Sequence, residues 1–205
     1  KVKQMKVLVD AEESWIQKAI DDLVFENMLI YNRNYPLIYN TIQAYRNDRL
    51  DYLKQIHQKF KGTHVKIGVK LVRGAYMQKE NKRAKEFNYK SPICKNKFLT
   101  DESFNNSLKY IFKHINDFCL FIGTHNEKSN LLAVKLMQRE KIENLSDKVW
   151  FSQLYGMSDN ISFSLAKKGY NVAKLIPFGP VKEVIPYLMR RIEENTSISE
   201  QTNRE

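Results

Sequence analysis

The segment Lys66–Glu80 reads Lys-Ile-Gly-Val-Lys-Leu-Val-Arg-Gly-Ala-Tyr-Met-Gln-Lys-Glu and joins a strand pattern to polar side chains. The aliphatic and β-branched run Val65–Val72 predicts a buried strand. Lys70 stands where that strand passes into a loop, and the Gly74–Ala75 pair lets backbone approach a large flat group. Tyr76 adds a ring with a polar tip. The stretch either binds an anionic or electron-rich ligand or is a buried strand whose lysines reach solvent, and these residues alone leave both open.

The composition indicates a folded domain in a reducing compartment. With 205 residues, 42% of them hydrophobic, the chain is long enough to bury a core and is unlike a disordered sequence. No apolar run approaches the ~20 residues that a membrane-spanning helix needs, and the opening residues lack a secretory signal pattern. Cys94 and Cys119 are too few for a disulfide framework, so we expect a cytoplasmic protein.

The formal net charge of +11 raises the question of a nucleic-acid partner. Its distribution argues against one, because 34 Lys and Arg are interspersed with 23 Asp and Glu. The densest basic run, Lys79–Lys85, is itself interrupted by Glu80, and no zinc-finger or RNA-recognition spacing is present. We predict no nucleic-acid partner. Scattered lysines favour weak attraction to anionic lipid headgroups, hence peripheral association with a membrane.

Strand and helix patterns alternate six times along the chain. Strands are predicted at 5–9, 37–45, 65–72, 118–123, 149–154 and 171–176, and helices at 14–32, 49–60, 100–116, 128–140 and 161–168, with a last helix from 181. Ser14 and the Thr100–Asp101 pair are the expected N-caps of two helices. Residues 78–98 are expected to form a helix start and a loop. Residues 196–205 are polar, and we predict a disordered tail.

This alternation predicts an α/β fold with a parallel sheet, which is either open and doubly wound or closed into a barrel. The Gly-x-Gly-x-x-Gly turn of open dinucleotide-binding folds is missing. Most strands end in polar residues, which are Asp10, Gln43, Lys70, Thr124, His125 and Gln153. Such strand ends are typical of the (β/α)8 TIM-type barrel. We predict that residues 1–195 supply about six of its eight βα units and that two strands precede them.

These strand-end residues also have structural alternatives. Asp10 could cap the next helix, and Gln43 could bind a loop backbone. His125 has no second His or Cys at metal-ligand spacing, so no metal site is predicted, and no nucleophile elbow supports a hydrolase triad. Arg190 and Arg191 could form a solvated helix end, or they could grip a carboxylate in bidentate fashion while nearby glutamates hold them.

Five segments in a fixed order resemble the FAD-dependent proline dehydrogenases. They are Lys70–Met77, Gly123–Asn126, Gln153–Met157, Ile176–Val181 and Tyr187–Asn195. Asp10–Glu13 and Gln43–Tyr45 fit the same family. The resemblance covers nearly the whole chain and implies a (β/α)8 barrel of the monofunctional type, with FAD bound non-covalently at the carboxyl end of the strands.

The resemblance implies roles in cofactor binding and catalysis. Lys70 would lie beside flavin N5, where many bacterial members have arginine and mitochondrial-type members have lysine, and its charge would stabilise reduced flavin. Asp10 would be the strand-end aspartate of the active site. The remaining FAD contacts or cavity residues would be Ala11, Gln43, Val72, Arg73, Gly74, Ala75, Thr124, His125, Asn126, Gln153 and Leu154.

The resemblance also implies substrate contacts. Arg190 and Arg191 would clamp the proline carboxylate, and Glu194 would hold these arginines. Tyr76 would contact the substrate. Leu175 departs from the family, because proline-specific members usually have tyrosine there and a smaller residue accompanies a preference for hydroxyproline. Leucine keeps apolar bulk without the hydroxyl, so this position leaves the substrate open.

The implied reaction is oxidation of L-proline to Δ1-pyrroline-5-carboxylate, the first step of proline catabolism to glutamate, with electrons passed to a quinone. The protein would then lie on the inner face of the cytoplasmic membrane, or in mitochondria if it is eukaryotic. One alternative is hydroxyproline dehydrogenase on the same scaffold. Another is a non-catalytic remnant that acts as an interaction module, against which the intact polar strand ends speak. Without the leading strands, this segment alone is not expected to be a complete catalyst.

Overall fold

A computed structural model describes residues 5–33 and 35–189. The elements are β1 (Val7–Val9), α1 (Ser14–Tyr31), β2 (Ile38–Gln43), α2 (Arg49–Phe60), β3 (Ile67–Val72), α3 (Met77–Glu86), α4 (Lys97–Lys113), β4 (Phe118–Gly123), α5 (Glu127–Arg139), β5 (Val149–Leu154), α6 (Asp159–Lys167) and β6 (Val172–Leu175). Residues 181–189 are also helical. The predicted bounds of α2, β4 and β5 are confirmed to the residue.

The chain divides into two compact units, residues 1–174 and 175–205. The first unit holds the sheet up to Lys174 and nearly all candidate site residues. The second begins with Leu175 and includes the helix at 181–189. Arg190, Arg191, Glu194, the predicted domain boundary at 195 and the predicted tail lie outside the described residues, so those expectations stay predictions.

The strands of the described residues form one sheet in which each strand lies beside the next in sequence, in the order β1-β2-β3-β4-β5-β6. The pairings from β1 through β5 are parallel. Their register places Thr41 beside Lys70, Lys70 beside Phe121 and Phe121 beside Trp150. The predicted parallel sheet with helical crossovers is therefore confirmed.

One face of the sheet is concave, as side-chain contacts between distant strands show. Lys6, just before β1, forms an ion pair with Asp147, just before β5. In a flat sheet those strands would lie about 19 Å apart, at ~4.8 Å per strand. The same face carries a cluster of Tyr39, Cys119 and Phe121, and residues of β1, β5 and β6 pack against it. The first unit is thus curved like part of a barrel wall.

The opposite face of the sheet packs against the helices and forms the main core. Ile42, Leu71, Ile122 and Phe151 alternate with the inward residues of their strands, and each is at most 1% exposed. Full burial of one such side chain contributes roughly 1.5–3 kcal/mol. This core holds the strands rigidly enough to position the side chains at their ends.

Two predicted helix caps are wrong. Ser14 is the first residue of α1 rather than its cap, and its amide and hydroxyl donate to the Glu80 carboxylate at 2.5 and 2.7 Å. Helix α4 begins before Thr100, because the Asn96 side chain accepts from the Leu99 amide at 2.9 Å and so satisfies an orphan donor. Several polar residues stand near each helix start, and the sequence alone does not show which one precedes the first helical turn. The N-cap residues are Glu13 for α1 and Asn96 for α4.

Candidate functional site

The two predicted catalytic residues form an ion pair at the carboxyl end of the sheet. Lys70 points to the concave face, and its ammonium donates to the Asp10 carboxylate. The Lys70 side chain is only 12% exposed, whereas that of Asp10 is 64% exposed. A lysine ammonium has three N–H donors, so this contact leaves donors for a ligand. The pair presents a fixed positive charge near an accessible carboxylate.

The turn after β3 is fastened on one side and open on the other. Ala44 and Tyr45 donate their amides to the last two carbonyls before Gly74, at 2.8 and 2.7 Å. Gly74 has φ of 130°, and a Cβ there would lie 2.5 Å from the Tyr45 ring, so the turn needs glycine. In the described part of the chain, the Gly74 and Ala75 amides donate to no protein acceptor. Two backbone donors are therefore available to an anionic group.

Arg73 ties this turn to three neighbouring elements. Its guanidinium donates to Asp101 at 2.7 Å, to Thr124 at 2.6 Å and to Ser129 at 3.0 Å. It also lies 4.5 Å above the Phe104 ring. These bonds use three of its five N–H groups, so its first task is to hold the turn in place. The predicted contact with FAD would use what remains, and it stays a prediction.

The carboxylate that holds Arg73 is charged through the neutral pH range. Burial of Asp101 alone would raise its pKa, but hydrogen bonds from Lys97 and Arg73 outweigh burial, and the pKa lies below its ordinary value. The Asp101–Arg73 ion pair is therefore fully formed wherever an ordinary aspartate is ionised.

The start of α3 is anchored by a buried carboxylate that the sequence analysis missed. Tyr76 is the N-cap residue of α3, and one turn later Glu80 is completely buried where it accepts from Ser14. Burial also raises the pKa of Tyr45, which keeps its hydroxyl neutral. Glu80 and Ala84 form the buried face of α3, but no sequence feature near Glu80 indicates its partner Ser14, which lies 66 residues away.

The loop after β4 places its three predicted residues differently. Thr124 is buried, and its hydroxyl accepts from the Asn126 amide at 3.1 Å. His125 Nδ1 lies 3.0 Å from the hydroxyl of Ser158, a residue not predicted and held at a φ of 51°. Asn126 caps α5 by accepting from the Ser129 amide at 2.9 Å. Only His125 of the three extends toward the neighbouring loop.

Two predicted glutamines bind backbone in the described structure. Gln43 donates to the Glu12 carbonyl at 2.7 Å, which is the structural alternative left open by the sequence. Gln153 donates to the Thr124 carbonyl at 3.2 Å and accepts from Ser162 at 2.9 Å. Both side chains are at most 3% exposed, so their immediate effect is to fix the loops around the candidate site.

The remaining predicted residues divide by location. Ala11 and Leu154 are buried and Val72 half-buried, all at the carboxyl ends of their strands. Leu175 ends β6 and belongs to the second unit. Within residues 5–33 and 35–189, no cluster of His, Cys, Asp and Glu could hold a metal ion. In the same residues no helix is long and apolar enough to cross a membrane.

Comparison with known proteins identifies the family. The family model described as proline dehydrogenase matches residues 1–204. The chain belongs to the proline dehydrogenase family. It is 39% identical over 198 residues to mitochondrial proline dehydrogenase 1 of Dictyostelium discoideum, covering 92% of this chain and 34% of that protein. It is 38% identical over 199 residues to hydroxyproline dehydrogenase of Xenopus laevis, covering 95% of this chain and 43% of that protein.

Two solved structures share the fold. Proline utilization A from Bdellovibrio bacteriovorus superposes with a TM-score of 0.86 at 24% identity, over 93% of this chain and 20% of that one. The Bradyrhizobium japonicum protein gives 0.78 at 25% identity, over 94% and 20%. These likenesses confirm that the described βα units form an open part of a TIM-type barrel. The chain spans between a third and a half of the two curated relatives named above.

Proposed function

We propose that the protein containing this chain oxidises L-proline to Δ1-pyrroline-5-carboxylate with bound FAD. Membership of the proline dehydrogenase family supports the reaction class. The observation that carries the proposal is the Lys70–Asp10 pair beside a turn with two open backbone donors. A cation and unpaired amides at the carboxyl end of a curved parallel sheet suit an anionic redox cofactor.

The residues present fit FAD in two respects. The Gly74 and Ala75 amides, which have no protein acceptor in the described part, suit oxygens of its pyrophosphate. Lys70 supplies a nearly buried positive charge that the isoalloxazine would meet. When bound, FAD would supply the redox chemistry, as the acceptor of a hydride from the carbon next to the proline nitrogen. The residues of this chain would bind and orient the cofactor and the substrate and would place charge beside them.

Each residue of the pair has a distinct task in this mechanism. The Lys70 ammonium stabilises negative charge that develops beside it, and because it is fixed beforehand it does not have to reorganise during the reaction. Asp10 holds that ammonium in place through the ion pair. Tyr76, at the start of α3, would place its ring against the substrate and limit the access of water. The proposed carboxylate clamp of Arg190 and Arg191, held by Glu194, adds orientation.

Hydroxyproline dehydrogenase is the second candidate on the same scaffold. Leu175 lacks the hydroxyl that proline-specific members usually present, and the Xenopus laevis relative is named hydroxyproline dehydrogenase. A remnant that acts only as an interaction module is less favoured. Such a remnant has no need of the Lys70–Asp10 pair or of a glycine forced to a φ of 130° at position 74.

The proposal extends to the electron acceptor. Electrons would pass from the reduced cofactor to a quinone, whose apolar tail keeps it within a membrane. The protein would then work peripherally on the inner face of the cytoplasmic membrane, or in mitochondria if it is eukaryotic. The names of the Dictyostelium discoideum and Homo sapiens relatives include the word mitochondrial.

A dye-coupled assay tests this function. The full-length protein is supplied with a soluble acceptor dye and with L-proline or trans-4-hydroxy-L-proline, and the cyclic imine product is trapped by o-aminobenzaldehyde. We expect a larger kcat/KM for L-proline. A larger value for hydroxyproline would select the second candidate, and no turnover with either substrate by folded protein would favour the remnant.

A further inference from the structure

Helix α3 and the residues just after it carry a concentrated positive surface. Between Met77 and Lys90 the chain has five Lys and Arg against two Glu. One of these acids, Glu80, is completely buried and bound to Ser14, so it presents no charge to solvent. Glu86 is therefore the exposed acid of this segment against five Lys and Arg, of which Lys79 is paired with Glu13. A count of charged residues along the sequence does not reveal that Glu80 is buried.

Exposed aromatic rings lie among these cations. The Arg83 guanidinium lies over the rings of Trp15 and Phe87, 4.5 and 4.6 Å from their centroids. Trp15 is 42% exposed and Phe87 59% exposed, so both retain apolar surface that water must cover. We use the name α3 surface for Trp15, Lys79, Lys82, Arg83, Lys85 and Phe87.

The α3 surface borders the candidate site. Tyr76, at the end of the turn that carries the open amides, begins α3. Lys79 donates to Glu13 at 2.6 Å, and Glu80 binds Ser14, so the helix is fastened to the loop that follows Asp10. A partner seated on the α3 surface would therefore lie beside the entrance to the Lys70–Asp10 pair.

We propose that the α3 surface docks the protein on an anionic lipid bilayer. Clustered Lys and Arg attract anionic headgroups, and Trp and Phe favour the boundary between headgroups and acyl chains, so the combination fits a bilayer in both charge and polarity. A nucleic-acid duplex would match the charge alone, and the sequence has no zinc-finger or RNA-recognition spacing. Docking here would bring the site close to a quinone in the bilayer. The docking surface deepens the peripheral membrane association proposed above, and its link to a quinone rests on the proposed oxidation.

Vesicle co-sedimentation of the full-length protein tests the proposal. We expect binding to mixed phosphatidylcholine and phosphatidylglycerol vesicles and little binding to phosphatidylcholine alone. The double variant Lys82→Gln with Lys85→Gln should bind the mixed vesicles about 30-fold more weakly, since each cation near an anionic surface contributes about a fivefold factor. Phe87→Ala should weaken binding several-fold, and its effect should persist at high salt, where charge attraction is screened.

A matched control changes the same amount of charge elsewhere. Lys109 on α4 and Lys135 on α5 are both exposed and lie outside the α3 surface. Lys109→Gln with Lys135→Gln should change vesicle binding less than about threefold, because removed cations away from the contact act only through long-range attraction. Equal losses in the two double variants would overturn the proposal, as would unchanged binding by the α3 variant. Tight binding of a DNA duplex through Lys82 and Lys85 with no vesicle binding would also overturn it.

Failure of this inference can be separated from failure of the proposed function. Among the described residues, no hydrogen bond or ion pair joins Lys82 or Lys85 to a proposed cofactor or substrate residue, so the dye-coupled activity of their double variant should equal that of the unmodified protein. An inactive protein that still binds vesicles through α3 would refute only the function. An active protein that binds vesicles with no dependence on α3 would refute only the docking surface.

Discussion

The amino and carboxyl ends of the concave face differ in how many of their polar groups are bonded within the protein. At the amino end, Tyr39 and Cys119 fill the interior, and the Lys6–Asp147 pair crosses between distant strands. At the carboxyl end, Lys70 keeps unused donors. The backbone after β3 also has open amides. The amino end is packed for stability, whereas the carboxyl end retains capacity for a ligand, which is the division expected of a TIM-type barrel. Changes at the two ends should therefore affect different measurements.

The largest effect is expected at the carboxyl end. Lys70→Met should lower the rate of flavin reduction by about 100- to 1,000-fold, the range typical for loss of one fixed electrostatic donor. Thermal unfolding should change little, because the partner Asp10 is mostly exposed and such pairs contribute about 0–1 kcal/mol. Lys70→Arg is the control and should retain much of the rate. A lowered Tm with an unchanged rate of flavin reduction would mean that Lys70 serves stability rather than the reaction.

The next effect is expected at the amino end. A Cβ on Gly68 would lie 2.2 Å from the Ile38 carbonyl oxygen and 2.9 Å from the Tyr39 ring, and backbone cannot easily move away. Gly68→Ala should therefore lower the free energy of unfolding by about 3 kcal/mol, measured in urea. Gly123→Ala, nearer the site, meets the Val72 side chain at 2.9 Å and should lose only about 1 kcal/mol, because that side chain can shift. Equal losses of unfolding free energy in the two variants would contradict the claim that the amino end is the more tightly packed.

A smaller, pH-dependent effect is expected where Arg73 is held. Asp101→Asn should cost about 1 kcal/mol at neutral pH by replacing an ion pair with a neutral hydrogen bond. Because the pKa of Asp101 is lowered in the folded protein, its stabilisation is complete above the ordinary aspartate pKa and is lost as pH falls through the folded value. Urea unfolding of both proteins should differ at pH 7 and converge once the pH falls below the lowered pKa of Asp101 in the folded protein. A stability difference between the two proteins that grows as the pH falls would contradict the predicted direction.

The smallest effect is expected inside the amino-end cluster. The Tyr39 hydroxyl is buried with no hydrogen-bond partner among the described residues, and burial raises its pKa well above the ordinary value. Tyr39→Phe removes that unsatisfied group while keeping the ring. The variant should be as stable as the original or up to about 1 kcal/mol more stable in urea unfolding. A loss of more than 1 kcal/mol would mean that the hydroxyl has a partner.

Periodic features of the fold could be predicted from the sequence. The apolar run of β4 lies between Asp117 and Thr124, so its limits could be predicted to the residue. Helix caps were harder, because several polar residues precede each helix and only the chain path selects one. Asn96 rather than Thr100 caps α4 for that reason.

The candidate site was predictable as a set of strand ends but not as a set of contacts. Parallel strands bring their carboxyl ends together, so Asp10 and Lys70 could be placed at one edge. Glu80 and Ser158 could not, because their partners Ser14 and His125 are 66 and 33 residues away in sequence. The same limit applies to Gln43 and Gln153, whose polar groups could serve a ligand or a loop equally well until their partners are known.

The most direct measurement is the visible absorption spectrum of the full-length protein, titrated with L-proline without oxygen. We expect the purified protein to show flavin absorption bands. Adding L-proline should bleach them, because bound FAD would accept the hydride at the carboxyl end of the sheet. Folded protein without flavin bands, or bands that L-proline leaves unchanged, would contradict the proposed function.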